Sequence, residues 1–173
     1  GILGMGRIGQ AVARRAAGFE MRVIYHNRSH LSAEREAQCR AKWVDKATLL
    51  READFLVLML PYSAEAHHAI GAAELAQMKP TAHLINVARG GIVDDAALIE
   101  ALQTQRIAGA GLDVFKNEPA LDPRFFALDN VVLTPHIGSA SSATRLKMAM
   151  LAAENLIAAL TGGTPPNLLN PKG

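Results

Sequence analysis

One cysteine, Cys39, stands among 173 residues, so no intrachain disulfide can form and the small disulfide-stapled folds are excluded. No second cysteine completes a redox or metal pair, which leaves Cys39 as a structural residue and a reducing compartment, the cytoplasm, as the simpler setting. Aromatic residues are scarce at 5%. No block of Lys and Arg interleaves with them, which excludes the stripe of a nucleic-acid-binding surface. Neither sign of charge dominates, since 18 basic and 16 acidic residues leave a net +2. A long apolar run is also missing: the strongest, Phe55 to Leu60, is far below the roughly 18 residues that a membrane helix needs. Hydrophobic residues nevertheless make up 50% of the chain, enough at single-domain size to close a substantial core and to exclude a disordered tail.

No charged-then-apolar leader opens the chain. It starts Gly1-Ile2-Leu3 directly before a glycine-rich turn, and because a buried strand runs about 5–6 residues, this one is expected to begin upstream of Gly1. At the other end Gly162-Gly163-Thr164-Pro165-Pro166 breaks a long helix into a short polar tail, so that end reads as complete.

Between the ends, short apolar runs alternate with helical patterns, the signature of β-α-β units and a doubly wound parallel sheet in a three-layer αβα arrangement. Strands are expected at Ile2–Leu3, Arg22–Tyr25, Phe55–Leu60, His83–Val87, Ala110–Leu112 and Val131–Leu133, with a weak one near Trp43–Val44. Helices are expected at Ile8–Ala17 (stopping at Gly18), Glu34–Lys42, Thr48–Glu52, Ala72–Met78 and Asp95–Gln103. The last helix, about Ser142 to Leu160, is apolar on more than one face. It is expected to be covered by a neighbouring domain or subunit, the alternative being burial in its own core.

Gly4-Met5-Gly6-Arg7-Ile8-Gly9 has the G-x-G-x-x-G spacing between a strand and a helix, the context in which that motif binds a dinucleotide. Gly4 permits the tight turn, Gly6 admits a pyrophosphate and Gly9 lets helix and sheet approach, while the free N–H groups around Arg7 and Ile8 face the phosphates. About 20 residues on, an NAD-binding chain carries a carboxylate for the ribose 2′-OH. Here the second strand ends Tyr25-His26-Asn27-Arg28-Ser29. A carboxylate would repel a 2′-phosphate, whereas Arg28 can bind one, helped by Asn27 and Ser29 as neutral donors, so NADP(H) is expected over NAD(H).

Three clusters each follow an expected strand: Asn86-Val87-Ala88-Arg89-Gly90-Gly91; Gly111-Leu112-Asp113-Val114-Phe115 with Asn117-Glu118-Pro119; and Thr134-Pro135-His136-Ile137-Gly138-Ser139. In an open parallel sheet they should converge with the glycine turn at the carboxyl edge, where an Arg, a Glu and a His beside a dinucleotide make a credible reaction site. With these residues the chain resembles the D-isomer-specific 2-hydroxyacid dehydrogenase family from Gly1 to Pro165-Pro166-Asn167. The Asn27-Arg28-Ser29 tip and Pro-His-Ile-Gly-Ser-Ala look most like its glyoxylate/hydroxypyruvate reductase branch. The related formate dehydrogenases pair their histidine with glutamine where this chain has Glu118.

The resemblance implies NADPH-dependent reduction of a small 2-oxo acid, and a homodimer. It also implies a cofactor domain over residues 1–140, with 141–173 returning toward a substrate domain whose first half is absent. His136 is then the general acid, an imidazole able to hold and release a proton near neutral pH, and Glu118 fixes its tautomer and favours its charged form. Arg89 grips the substrate carboxylate or carbonyl through two parallel donors, its alternative being an interior salt bridge. Asp113 holds the nicotinamide amide, against a plain capping or turn role, and backbone near Pro61, Val87, Ala88 and Gly138 lines the nicotinamide side. A different class, a dinucleotide-gated interaction module without catalysis, would not require Arg89, Glu118 and His136 together; a cofactor-binding piece inactive by itself is a third possibility. His67-His68 has no third ligand spaced for a metal. His26 and His30 are expected to be exposed loop residues and His83 a strand start, with Trp43 and Phe125-Phe126 as packing residues.

Overall fold

The computed structural model describes residues 1–170. In chain order it forms β1 (Ile2–Leu3), α1 (Arg7–Ala17), β2 (Val23–His26), α2 (Ala33–Cys39), β3 (Ala41–Trp43), α3 (Lys46–Glu52) and β4 (Phe55–Leu58). There follow α4 (Ala72–Leu75), β5 (His83–Asn86), α5 (Asp95–Gln103), β6 (Gly109–Leu112), a 3-10 helix (Pro123–Ala127), β7 (Val131–Leu133) and α6 (Ser142–Leu160). The strands pair in parallel throughout, in the order β3-β2-β1-β4-β5-β6-β7. The chain thus winds from β1 out to β3, then returns to β1's other side and winds outward again from β4. That reversal opens a crevice beyond the carboxyl ends of β1 and β4, the fold being Rossmann-like and doubly wound.

Alternation along the strands feeds two cores. Ile2, Val23, Tyr25 and Ala41 pack with Ala13 of α1 and Cys39 of α2, while Leu3, Ile24, Leu56 and Leu58 join Leu49 and Leu50 of α3 and Leu98 and Ile99 of α5. Cys39 is buried there, as a structural thiol should be. On the face carrying Phe55 and Val132 cover is incomplete, and both are exposed.

Several local expectations need correction. The second helix stops at Cys39, because Arg40 turns left-handed (φ 47°) and Ala41–Trp43 becomes β3, so Lys42 is strand rather than helix. The first helix does end at Gly18, but in right-handed backbone, and the left-handed turn falls on Glu20. Phe125 is fully buried in the 3-10 helix whereas its neighbour Phe126 is 69% exposed, so only one of the pair is core.

The chain divides into two compact units, residues 1–135 and 136–173. In the second, the Ser141 hydroxyl caps α6 by accepting from the Thr144 N–H, and Asn155 and Asn167 exchange two hydrogen bonds that hold the tail to the helix. No residue of α6 is buried. Leu146, Met148, Met150, Leu151, Leu156, Ile157 and Leu160 are all exposed, which overturns burial in its own core. Among the described residues no helix is long and apolar enough to cross a membrane.

Candidate active site

The crevice at the β1–β4 reversal is a cleft of about 500 Å³ within the first unit. Its walls come from the ends of three strands: Leu3, Gly4 and Gly6 after β1, His26 to Ser29 at and after β2, and Met59, Leu60 and Pro61 after β4. Gly4 takes φ +104°, and a Cβ there would lie 2.7 Å from the Met59 carbonyl carbon, so only glycine lets the turn lean on the β4 exit. A Cβ on Gly9 would lie 2.4 Å from the Gly4 carbonyl oxygen and 3.4 Å from the Ile2 side chain of β1, so the start of α1 packs tightly on the turn and against the first strand. On Gly6 it would meet nothing within 4 Å. That open face borders the cleft, and Gly6 caps α1 without any side-chain acceptor. The first-turn amides of Arg7, Ile8 and Gly9 are therefore left for an anion, and the site fits a dinucleotide pyrophosphate.

The β2 tip is bound to this turn. His26 O accepts from Gly4 N at 3.1 Å, and Asn27 Oδ1 accepts from Met5 N at 2.6 Å. Asn27 thus spends its oxygen on the turn and leaves Arg28 and Ser29 exposed on the cleft wall. Across the same cleft is Glu65, its carboxyl held below the ordinary range by its own backbone N–H and the Ser63 hydroxyl, with Arg28 adding to the effect. Lys46, also on the wall, is committed to Glu74 and the Ala69 carbonyl, each at 2.8 Å.

Beyond β5, the buried Asn86 shapes the Arg89 loop by accepting from Ala88 N and donating to Arg89 O, both at 3.1 Å. Arg89 itself is exposed, its guanidinium resting on the Ala88 carbonyl. It forms no ion pair among the described residues, so the interior salt bridge is not its role. Asp113, directly after β6, is buried and accepts from the Thr134 hydroxyl at 2.6 Å; it caps no helix. Glu118 Oε1 accepts from the Phe115 amide at 2.8 Å. That same Phe115 carries the carbonyl on which Gly90 packs, with a hypothetical Gly90 Cβ only 1.9 Å from its oxygen. One backbone residue therefore ties the Arg89 loop to the Glu118 loop. Gly90→Ala should cost about 3 kcal/mol and lower Tm by roughly 6–12 °C, because backbone rather than a flexible side chain must move. Thermal unfolding followed by circular dichroism checks this, and an unchanged Tm would mean that the two loops are not packed as described.

His136 opens the second unit with φ 53°, and Gly138 and Ile137 follow it there. Among the described residues no group of three or more His, Cys, Asp or Glu side chains is placed to hold a metal ion. His67 bonds Tyr62 at 3.0 Å, His68 faces Asp94 at 3.7 Å, and His83 begins β5. His26 differs from expectation, being half-buried at the end of β2 with Nδ1 on the Val44 carbonyl oxygen. Sequence reasoning assigned no role to Asn86, whose signal is a lone amide closing an apolar strand.

The sequence profile of the D-isomer specific 2-hydroxyacid dehydrogenase NAD-binding domain matches residues 1–138. A glyoxylate reductase of Thermococcus gammatolerans is 53% identical over 98% of this chain and 51% of its own length. Glyoxylate/hydroxypyruvate reductase B of Pectobacterium carotovorum is 54% identical over 99% of this chain and 54% of its own. The crystal structure of an NADPH-dependent glyoxylate/hydroxypyruvate reductase from Sinorhizobium meliloti, in complex with NADP and malonate, superposes with a TM-score of 0.86 at 38% identity, covering 92% of this chain and 49% of that one. The chain spans about half the length of the curated relatives it matches. With its glycine turn, its strand order and this profile, the chain belongs to the D-isomer specific 2-hydroxyacid dehydrogenases.

Proposed function

We propose that this chain is the cofactor-binding part of an NADPH-dependent reductase of small 2-oxo acids, glyoxylate or hydroxypyruvate in type. The observation that carries the reading is the convergence of the glycine turn and the carboxylate-free Arg28 tip on one cleft, at the sheet edge from which the Arg89 and Glu118 loops also leave. Residues 1–140 act as the cofactor domain and 141–173 as the return toward a substrate domain. The bare apolar faces of α6 support a covering domain or subunit, in a homodimer, and the single buried cysteine suits the reducing cytoplasm.

When bound, the nicotinamide supplies the hydride. The protein's task is to place the ketone and complete the proton balance. Arg89 holds the substrate carboxylate or carbonyl oxygen with parallel N–H donors and stabilises the negative charge that develops there. His136 would give its ring proton to the ketone oxygen as the carbonyl π pair moves there, so that reduction ends in the D-2-hydroxy acid. Glu118 would accept the other ring N–H and so set the tautomer that carries the proton toward the substrate. Asp113 would accept from the carboxamide, and backbone at Pro61, Val87, Ala88 and Gly138 would line the nicotinamide side. At the other end of the dinucleotide, Arg28 and Ser29 take the 2′-phosphate.

The testing measurement is the dissociation constant of NADPH against NADH. NADPH should bind tighter, and Arg28→Ala should weaken it by about 10- to 100-fold, the worth of a hydrogen bond to a charged group, with little change for NADH. Tighter NADH binding by the unmodified protein would overturn the cofactor assignment.

A further inference from the structure

Trp43 is the chain's single tryptophan and sits at the end of β3, on a strand that contributes no wall to the cofactor cleft. Its indole is partly buried and packs against the Ile2–Tyr25–Cys39 core, as a packing residue should, and beside the His26 ring of β2, but it also makes two directed contacts with the loop that follows β2. Its Nε1–H donates to the Asn27 carbonyl oxygen at 3.1 Å. Its ring lies face to face with His30, with centroids 4.0 Å apart and planes at 19°. The two contacts bracket Arg28 and Ser29. On either side the loop is held again: Asn27 Oδ1 takes the Met5 amide, and the Leu31 N–H donates to the Tyr25 hydroxyl at 2.8 Å. The Tyr25 hydroxyl in turn donates to Glu36 of α2 at 2.8 Å.

We infer that Trp43 is a positioning residue for cofactor choice, a clamp that holds the Asn27–His30 loop in the shape that presents Arg28 and Ser29 to a 2′-phosphate. This rests on the NADPH reading and extends it to a residue that touches no part of the phosphate. The physical reason is preorganisation. Arg28 and Ser29 are exposed and belong to no strand or helix, so without the clamp the loop must be ordered at the moment of binding. That cost falls on the 2′-phosphate alone, because the pyrophosphate is held by the glycine turn and the start of α1.

Isothermal titration of the full-length protein with adenosine 2′,5′-bisphosphate and with 5′-AMP isolates that end of the ligand. The unmodified protein should prefer the bisphosphate. Trp43→Leu, which removes both the indole N–H and the stack, should weaken the bisphosphate about tenfold and leave 5′-AMP within about twofold. Trp43→Phe, which keeps an aromatic ring for His30, should fall between them. A merely structural role would move both ligands together. If Trp43→Leu does not fold, His30→Ala removes the same stack from an exposed position and should lower the preference about threefold. A preference unchanged in the folded variants, or equal weakening of both ligands, overturns the clamp while leaving the NADPH reading in place. No preference in the unmodified protein overturns that reading, and the clamp falls with it.

Discussion

Replacing His136 with alanine in the full-length protein is expected to lower turnover of the 2-oxo acid by about 10²- to 10⁴-fold, the usual contribution of a positioned general acid. NADPH affinity should stay within about twofold, because the cleft proposed for the dinucleotide, between the glycine turn and the β4 exit, is lined by residues of the first unit. Glu118→Gln should lower turnover too, more weakly. The carboxylate is anchored by the Phe115 amide, and a neutral amide in its place is a weaker acceptor both there and for the ring N–H proposed above. Full turnover in His136→Ala would remove the general acid from the account.

The second large effect concerns Arg89. Arg89→Lys keeps the charge and the stem yet should lower kcat/KM by about 10²- to 10³-fold, the cost of losing one directed donor to a developing oxyanion. The reason is geometric. An ammonium is a point charge, while the guanidinium offers two parallel donors to a planar carboxylate. The local structure leaves those donors available, because Asn86 fixes the loop through its main chain and the guanidinium rests only on its neighbour's carbonyl. Steady-state kinetics on the 2-oxo acid, with NADPH binding as the control, separates this from unfolding. A variant with ordinary kcat/KM would mean that Arg89 does not meet substrate.

The parallel sheet could be read from apolar runs because strands covered by helices need few polar positions, and β1, β4 and β5 are such runs. β3 was the weakest expectation for a physical reason: Ala41-Lys42-Trp43 is short and half-exposed, so its neighbours rather than its own pattern make it a strand. The overlong second helix has a related cause. Arg40 adopts left-handed backbone with no glycine to announce it. The steric need for glycine at positions 4 and 9 was legible in the spacing, since an added Cβ would collide with the β4 exit at one and with the turn carbonyl at the other, whereas at Gly6 it would meet open space. Asn86 and Trp43 were not, because what they do depends on main-chain atoms that only the fold brings within reach. Gly90 belongs with them: its requirement comes from Phe115, 25 residues along the chain.

The central claim, that this cofactor cleft serves the reduction of a 2-oxo acid, is tested most directly by following NADPH oxidation by the full-length protein with and without glyoxylate or hydroxypyruvate. The account predicts saturable, substrate-dependent oxidation with kcat within the ordinary enzyme range of about 1–10³ s⁻¹, and slower reaction with NADH. Tight NADPH binding with no oxidation on adding either acid would contradict it.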